Sequence, residues 1–363
     1  MLGGEKFCFQ NEISNLTYRY GSNHIHLPPL ALQRCFQNWK HFPGERWIFL
    51  LKMTASNSLP KATVNSQMWS AAPTPFTEDR EIDVESVAKM VEHHLRLGVD
   101  GLFLAGTCGE GPWMTDRQKS QLVHAVQKFA AGRLLLAVQV TDNSSARVLE
   151  QIQALEGVDA VIVAQPYLAM NITPTTLRRY YEEILDRSPI PVCYYERGAA
   201  SIVTVPEDVL RPILSHPNLK MVKDSSGDSE RRSVLLEGKK SRNDLSLLLG
   251  DEFRCVDYLA AGYNGVMLGG MILNARYVAK IMSCLDAGDL RSAQDTEQRM
   301  IAMLHAVYGG PKVPCWLNGL KTTLVRMGVF RTNRAYLDYP LTPECSEMID
   351  RVLVDERDLL LPQ

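Results

Sequence analysis

The sequence lacks a long hydrophobic run. The longest apolar stretch near the N-terminus, residues 47–51, is far shorter than the about 20 apolar residues that a transmembrane helix needs. It is also too short for the core of a signal peptide, and no targeting segment is visible. We therefore predict a cytoplasmic protein that does not bind a membrane.

The sequence also lacks an excess of charge of either sign and any metal-binding spacing of cysteine. Its 39 basic and 41 acidic residues leave a net charge of −2, so the basic surface typical of nucleic-acid binding is missing. No CxxC pair and no zinc-like Cys/His spacing occurs among the eight cysteines, which stand singly at positions 8, 35, 108, 193, 255, 284, 315 and 345. These absences exclude a disulfide-rich secreted protein and favour a small-molecule partner.

The 363 residues fit one α/β barrel with extensions. Residues 1–65 show no sustained periodicity and run into a polar, linker-like stretch at 54–67. We predict an N-terminal extension over 1–65 that is disordered, is an arm on a neighbouring subunit, or is an artefact of start-site choice, since Met53 would also make an ordinary start. A barrel is predicted over 66–275, with C-terminal helices packed on it over 276–363.

The barrel prediction depends on a repeating pattern. Strand-like and helix-like segments alternate about every 25 residues from Met68 onwards, which is typical of a (β/α)8 barrel. Asp83 opens the first helix, whose His93 and His94 we predict to lie on the surface. The eight predicted strands are 68–76, 99–105, 134–140, 160–164, 189–195, 219–222, 245–249 and 265–268.

One strand–helix–strand unit carries the predicted chemistry. Two strands, 189–195 and 219–222, flank a helix over 206–215. Because a right-handed crossover makes the strands parallel neighbours, Tyr194 and Lys223 should emerge on the same edge of the sheet. Barrel enzymes have their active sites on that edge.

Lys223 follows an apolar run, so its side chain should begin inside a dry barrel. Burial disfavours the charged form of lysine, and a neutral amine can attack a carbonyl and form a Schiff base. The alternative is a lysine that extends from the strand end to the rim. We predict Tyr194, rather than Tyr195, as the general acid/base. Alternate strand residues face opposite sides, so only one of the two phenols can point into the barrel. If the strand register differs by one residue, Tyr195 is the catalyst.

Several motifs resemble one family. The segment GLFLAGTCGEGPWMTDRQ at 101–118, the TPF at 74–76 and the Tyr194 and Lys223 pair are similar to those of the dihydrodipicolinate synthase and N-acetylneuraminate lyase family of Schiff-base aldolases. The resemblance runs from about Trp69 to the C-terminus. It implies a TIM barrel that binds a pyruvate-type 2-keto acid as an imine on Lys223. We predict that this lyase needs no metal, nicotinamide or pyridoxal cofactor, because the protonated imine is itself the electron sink, and the sequence shows no clustered His/Cys/Asp ligand set and no G-x-G-x-x-G spacing.

The resemblance extends to the glycine-rich loop. It implies that Gly106, Thr107 and Cys108 bind the carboxylate of the keto acid through backbone N–H groups and the Thr107 hydroxyl. Cys108 departs from the threonine that is usual at this position. The alternative is that Gly106 and Gly109 only form a tight turn. Glu110 is predicted to be structural rather than catalytic.

Further substrate-binding positions are implied at other strand ends. Glu252 falls where sialic-acid lyases place an acidic residue, although a helix-start acid is the alternative. Arg197 differs in sequence spacing from the arginine that binds the carboxylate of the second substrate in dihydrodipicolinate synthases. The alternative is that Arg197 only lies at the rim of the barrel. Gly250 and Met267 complete the predicted substrate-binding set.

The family's usual relay tyrosine, which crosses a subunit interface, would fall at Leu168, and neighbouring Tyr167 should point to the other side. We still expect a homodimer or homotetramer, with the proton path inside one subunit. The predicted function is a Schiff-base lyase acting on a 2-keto acid by aldol cleavage, condensation or dehydration. The alternatives are a catalytically silent keto-acid or sugar-acid binding protein and a true dihydrodipicolinate synthase.

Overall fold

The structure is a computed structural model that describes residues 67–168 and 172–361, together with the backbone of 17–20 and 23–26. The chain divides into two units, Met1–Leu59 and Pro60–Gln363. Most of the predicted extension over 1–65 lies outside the described residues, so the prediction of its role stays untested.

A small β-hairpin lies in the first unit. Strands β1 (Thr17–Tyr20) and β2 (Asn23–His26) pair antiparallel. Here the structure differs from the sequence expectation, which assigned no regular element to this segment. The available signal in the sequence was the Gly-Ser pair between the two segments, because a two-residue connection with glycine at its first position is typical of a tight turn between antiparallel strands.

The second unit is built on a closed barrel of eight parallel strands, which confirms the predicted fold class. Each strand pairs with the next along the chain, and the last pairs with the first to close the barrel. The strands are β3 (Gln67–Ala71), β4 (Gly101–Leu104), β5 (Leu135–Gln139), β6 (Ala160–Ala164), β7 (Val192–Glu196), β8 (Leu219–Asp224), β9 (Ser246–Leu249) and β10 (Gly265–Leu268).

Helices follow the strands and continue beyond the barrel. Polar N-caps begin several of them: Asp83 begins α1 as predicted, and Thr115 forms a capping box with Gln118 at the start of α2. The helices are α1 (Val84–Leu97), α2 (Asp116–Ala130), α3 (Ser145–Gln153), α4 (Pro174–Arg187), α5 (Glu207–Ser215), α6 (Ser229–Lys240), α7 (Cys255–Ala260), α8 (Met271–Asp286), α9 (Leu290–Tyr308), α10 (Trp316–Arg326), α11 (Pro343–Asp355) and α12 (Arg357–Leu360). Among the described helices, none is both long and apolar enough to cross a membrane.

The strands separate two apolar layers. Phe103 points into the barrel, where it belongs to an inner cluster, whereas its neighbours Leu102 and Leu104 belong to the larger cluster between strands and helices. This alternation follows from the strand period of two. Burying one such side chain contributes roughly 1.5–3 kcal/mol, so the register of each strand is strongly determined.

The prediction that His93 and His94 lie on the surface is wrong. Both side chains are fully buried, because α1 packs on α8 and the His94 ring reaches Ser70 on β3. The Nδ1–H of His94 donates to the Met90 carbonyl, and its Nε2 accepts from the Ser70 hydroxyl at 2.8 Å. The Nε2–H of His93 donates to the Ile272 carbonyl at 3.0 Å. Burial lowers the pKa of His93 to about 4 and that of His94 to about 3, so both rings are neutral.

Candidate active site

Lys223 lies inside the barrel near the carboxyl end of β8, and its side chain is 5% exposed. Its Nζ is 4.9 Å from the ring centroid of Phe103 and 4.6 Å from that of Tyr195. Within the described part of the chain, no carboxylate lies within 4 Å of this amine. A Cβ added to Gly250 would approach Lys223 Cε to 2.8 Å, so the glycine at this position leaves room for the lysine side chain.

Tyr195, rather than Tyr194, shares the barrel interior with Lys223. Tyr195 is paired with Lys223 in the register of β7 and β8 and belongs to the inner cluster. Tyr194 faces the helices, where its ring lies 5.5 Å from that of Tyr181 and its hydroxyl donates to Glu196 at 2.8 Å. The predicted inward orientation of Tyr194 is therefore wrong. Strand residues alternate in direction, and the assumed register was off by one.

The two neighbouring phenols also differ in acidity. Burial acts to raise the pKa of Tyr195, but Lys223, Arg197 and the hydroxyls of Ser225 and Thr107 together lower it below its ordinary value. The pKa of Tyr194 is raised well above its ordinary value, by burial and by the adjacent Glu196 carboxylate. Tyr195 is therefore the better suited of the two for proton transfer near neutral pH.

The glycine-rich loop between β4 and α2 has a tightly constrained backbone. Ala105 and Glu110 adopt positive φ angles of 55° and 58°. A Cβ on Gly111 would lie 1.8 Å from the Ala105 carbonyl oxygen, so only glycine fits there. The Thr74 hydroxyl, from the TPF motif, donates to the Gly109 carbonyl at 2.6 Å.

This loop contains backbone donors that are not used within the protein. In residues 67–168 and 172–361, no acceptor takes the N–H of Thr107, Cys108 or Gly109, although Cys108 and Gly109 are buried. Buried N–H groups are nearly always paired, so those of Cys108 and Gly109, with that of Thr107 beside them, mark a place where a ligand can supply the acceptor. Consecutive free N–H groups of this kind form an anion-binding nest.

Cys108 is held in the loop as a neutral thiol. Its Sγ contacts the Gly269 carbonyl oxygen at 3.8 Å, and burial raises its pKa to about 12. Lys223 affects this pKa in the opposite direction, which places the thiol near the amine.

A sequence profile of the dihydrodipicolinate synthetase family matches residues 65–354. The chain belongs to this family. Members of the family are class I aldolases and lyases, so the chain is an enzyme of that class.

Curated relatives in the family are synthases. The chain is 30% identical over 241 residues to the 4-hydroxy-tetrahydrodipicolinate synthase of Kineococcus radiotolerans, an alignment that covers 66% of this chain and 76% of the relative. It is 26% identical over 292 residues to the enzyme of that name from Mycobacterium leprae, which covers 79% and 93% of the two chains.

Solved structures of the family share the fold. The crystal structure of dihydrodipicolinate synthase from Thermotoga maritima superposes with a TM-score of 0.73 at 22% identity and covers 81% of this chain and 99% of the other. A monomeric dihydrodipicolinate synthase variant superposes with a TM-score of 0.72 at 23% identity and covers 81% and 97%. At these identities the likeness shows the fold alone.

Two of the positions implied by the family lie in protein contacts. Glu252 is buried and accepts hydrogen bonds from the Gly270 N–H at 2.6 Å and the Tyr308 hydroxyl at 2.8 Å. Burial raises its pKa. Met267 is fully buried in the inner cluster. Substrate contacts by either residue stay predictions.

Arg197 and Tyr167 lie nearer the barrel mouth. Arg197 precedes the short 3-10 helix Gly198–Ala200 and lies close enough to Tyr195 to lower its pKa. Tyr167 accepts a hydrogen bond from Gln139 Nε2 at 2.8 Å, whereas adjacent Leu168 is 56% exposed. The two residues therefore point in different directions, as the sequence predicts for a strand end.

A buried network beside the site was missed by sequence reasoning. Glu196, directly after Tyr195, is 1% exposed and forms an ion pair with Arg231 at 3.3 Å. It also accepts hydrogen bonds from Tyr194, Gln165 Nε2 and the Gly198 N–H. The available signal was a charged residue placed directly after the apolar run of a predicted strand.

Ser225 was missed as well. Its hydroxyl is buried, and a Cβ on Gly250 would lie 2.0 Å from it.

Among the side chains of residues 67–168 and 172–361, no group of three or more His, Cys, Asp or Glu could hold a metal ion. The prediction that the enzyme needs no cofactor stays a prediction.

Proposed function

We propose that this protein forms an imine between Lys223 and the carbonyl carbon of a pyruvate-type 2-keto acid, and that Tyr195 transfers the protons. One observation carries the proposal: a buried lysine with no carboxylate partner among the described residues lies beside an inward phenol of lowered pKa. A lysine amine in such a pocket is a suitable nucleophile.

The reaction follows from this arrangement. The unprotonated amine adds to C2 of the keto acid, and the carbinolamine loses water to give the imine. Tyr195 supplies the proton that the leaving oxygen needs and later takes one back. In cleavage, the C4 hydroxyl gives its proton to Tyr195 and the C3–C4 bond breaks. Its electron pair moves through C3 to the protonated imine, which leaves an enamine and an aldehyde, and condensation is the reverse of this step.

The carboxylate of the keto acid binds at the glycine-rich loop in this proposal. The free N–H groups of Thr107, Cys108 and Gly109 supply donors, and donors fixed in advance stabilise an anion without reorganising. Arg197 is proposed to receive a second anionic or polar group at the barrel mouth. Glu252 and Met267 are proposed to line the side where the remainder of the substrate lies.

Borohydride trapping tests the proposal. Incubation with pyruvate and sodium borohydride should add a pyruvyl group to the peptide that contains Lys223, as read by mass spectrometry. The Lys223→Arg variant is the control, because arginine keeps its charge and cannot condense. A modified lysine elsewhere contradicts the assignment, and a protein without any adduct behaves as the catalytically silent binder. A screen of 2-keto-3-deoxy sugar acids then separates cleavage from dehydration.

True dihydrodipicolinate synthase activity is the second candidate, because the curated relatives carry the name 4-hydroxy-tetrahydrodipicolinate synthase. Two departures speak against it: Leu168 stands at the relay position, and Arg197 is displaced from the family's carboxylate-binding arginine. Formation of 4-hydroxy-tetrahydrodipicolinate by the purified protein decides between the two candidates.

We propose in addition that the enzyme is a cytoplasmic homodimer or homotetramer. Trp113 and Leu168, on loops at the carboxyl-end face, are 45% and 56% exposed, and apolar side chains of this size can pack across a two-fold interface. With Leu168 in place of the relay tyrosine, the proton path runs through Tyr195, Thr107 and water within one subunit. Light scattering should give a dimer or tetramer, and a monomer at micromolar concentration would contradict the assembly.

A further inference from the structure

A second buried lysine approaches the glycine-rich loop from outside the barrel. Lys321, on α10, is fully buried, and its Nζ lies 2.5 Å from Glu110 Oε1. Glu110 ends the GTCGE segment and is also fully buried. The ion pair therefore connects the C-terminal helices to the loop that contains the proposed carboxylate-binding groups.

Glu110 is held by more than this ion pair. Its Oε2 accepts hydrogen bonds from the Tyr336 N–H at 2.5 Å and the Leu337 N–H at 3.3 Å. Its φ of 58° is costly for a residue that is not glycine, by roughly 1–3 kcal/mol. Such a conformation persists only where the surroundings determine it. The contacts that determine it here come from α10 and the segment after it.

Among the described residues, Glu110 is the one charged group that pairs with the Lys321 ammonium. Its Nζ donates to Glu110 and to the Arg334 carbonyl at 2.7 Å, and lies 4.6 Å from the ring centroid of Phe76. Burial lowers its pKa, and Glu110 acts in the opposite direction. Removing one partner of a buried pair leaves the other charge unpaired, so each depends on the other.

The turn that contains Thr107 and Cys108 contacts Glu110 and lies near Lys321. The Glu110 N–H donates to the Thr107 carbonyl at 3.1 Å, so a shift of Glu110 moves the turn that contains Thr107 and Cys108. Lys321 and Glu110 both lie close enough to affect the pKa of Cys108. Neither residue contacts Lys223 or Tyr195 in the described structure.

We propose that Lys321 is a positioning residue for the keto-acid site, which through Glu110 holds the loop so that the N–H groups of Thr107, Cys108 and Gly109 stay aligned for the substrate carboxylate. The inference rests on the proposed function, because it assumes that the carboxylate binds at this loop. It assigns to the C-terminal helices a part in substrate binding that they perform without touching substrate.

The test compares Lys321→Met with Arg326→Met. Both residues lie on α10 and pair with a carboxylate, but Arg326 binds Asp350 at 2.8 Å on α11, away from the loop. The pyruvate concentration that gives half-maximal borohydride trapping should rise at least about tenfold in Lys321→Met, with the adduct still on Lys223 at saturation. It should stay unchanged in Arg326→Met. Melting curves confirm that both variants are folded at the assay temperature.

Cys108 gives a second measurement that does not depend on pyruvate. Alkylation of its buried thiol, followed by mass spectrometry, should be at least about tenfold faster in Lys321→Met than in the wild type or in Arg326→Met. An unchanged alkylation rate overturns the claim that Lys321 holds the loop. Faster alkylation with an unchanged half-saturating concentration overturns the link to the keto acid. A wild type that forms no adduct contradicts the proposed function and with it this link, while the alkylation rate still decides whether Lys321 holds the loop.

If Lys321→Met does not fold, a double variant tests the proposal instead. Lys321→Met combined with Glu110→Gln leaves no buried charge unpaired, so the melting temperature should recover. The half-saturating pyruvate concentration should remain several-fold above that of the wild type, because the lysine connection to the loop is still missing. A double variant that binds pyruvate as the wild type does overturns the proposal.

Discussion

Lys223 and Lys321 are both buried, yet their surroundings differ in one respect. Each amine lies over an aromatic ring, Lys223 over Tyr195 and Phe103 and Lys321 over Phe76. Lys321 has a carboxylate at 2.5 Å, whereas Lys223 has none within 4 Å among the described residues. Removing one partner of a buried ion pair is costly, so Lys321 and Glu110 stabilise the fold together, whereas no described carboxylate holds the Lys223 amine. The comparison supports a structural role for Lys321 and the proposed chemistry for Lys223.

The glycine-rich loop lies between these two lysines. The pKa of the Cys108 thiol is affected by both Lys223 and Lys321, and by Glu252 and Glu110 on the respective sides. One side of the loop therefore faces the proposed reaction, and the other is fixed to the C-terminal helices. The same substitution at each lysine should consequently give opposite results, and this can be measured.

Lys223→Met should have the largest effect on activity. Methionine has nearly the length of lysine but no amine, so imine formation and turnover should fall to background, which removes an acceleration typically of about 10⁶-fold or more. The free energy of unfolding should be unchanged or higher, since no buried carboxylate loses its partner. Rates and urea unfolding curves provide the two measurements.

Lys220→Met is the matched control for that substitution. Lys220 lies on the same strand, but its side chain is 41% exposed and pairs with Asp244 at 2.7 Å. Its loss should leave turnover unchanged, because exposed pairs contribute little. Full activity in Lys223→Met would reject the assignment of the chemistry to that lysine.

Lys321→Met should have the largest effect on stability. Glu110 would remain as an uncompensated buried charge, which costs about 3–5 kcal/mol. Urea unfolding should show this loss, and Glu110→Gln added to it should restore most of the stability. A single variant as stable as the wild type would mean that the two lysines are not distinguished by their partners.

Tyr195→Phe should lower turnover ~100-fold, as expected for a lost general acid/base. Tyr194→Phe is its control, because the hydroxyl of Tyr194 donates a hydrogen bond to Glu196 outside the barrel interior. Its loss should cost about 1 kcal/mol of stability and little turnover. The opposite ranking of the two variants in turnover would show that the outer phenol is the catalyst.

The exchange of these two tyrosines shows where sequence reasoning reached its limit. The hydrophobic pattern predicted the barrel, its eight strands and the position of Lys223 at a strand end. It could not fix which of two adjacent phenols points inward, because the pairing of β7 with β8 shifts register between Val192 and Cys193. A shift of this kind depends on contacts between strands that are distant in sequence.

Tertiary contacts explain the other errors and omissions. His93 and His94 are polar residues on an amphipathic helix. The sequence around them gives no sign that their rings form hydrogen bonds with the Ile272 carbonyl and the Ser70 hydroxyl. The role of Glu110 was predicted as structural, but its partner Lys321 lies 211 positions further along the chain. Pairs of this kind are determined by the fold.

The two histidines complete the comparison of buried bases, because burial acts on them with no carboxylate partner in the part of the chain that the structure describes. Their pKa values are lowered from 6.5 to about 4 for His93 and about 3 for His94, with burial as the main cause. Below pH 6.5 the unfolded chain therefore binds protons that the folded chain does not. The stability is fully present above pH 6.5 and is lost as the pH falls through the window down to the folded-state values.

Between pH 7.5 and pH 5.5, each histidine should remove ~1.4 kcal/mol from the free energy of unfolding, since pH 5.5 is one unit below the unfolded pKa. In His93→Gln the amide can still donate to the Ile272 carbonyl, but it does not titrate. Carboxylates titrate equally in both proteins, so the difference between their unfolding energies isolates the ring. The variant should lose ~1.4 kcal/mol less than the wild type over this interval. Equal losses in the two proteins would mean that His93 is protonated in the folded state.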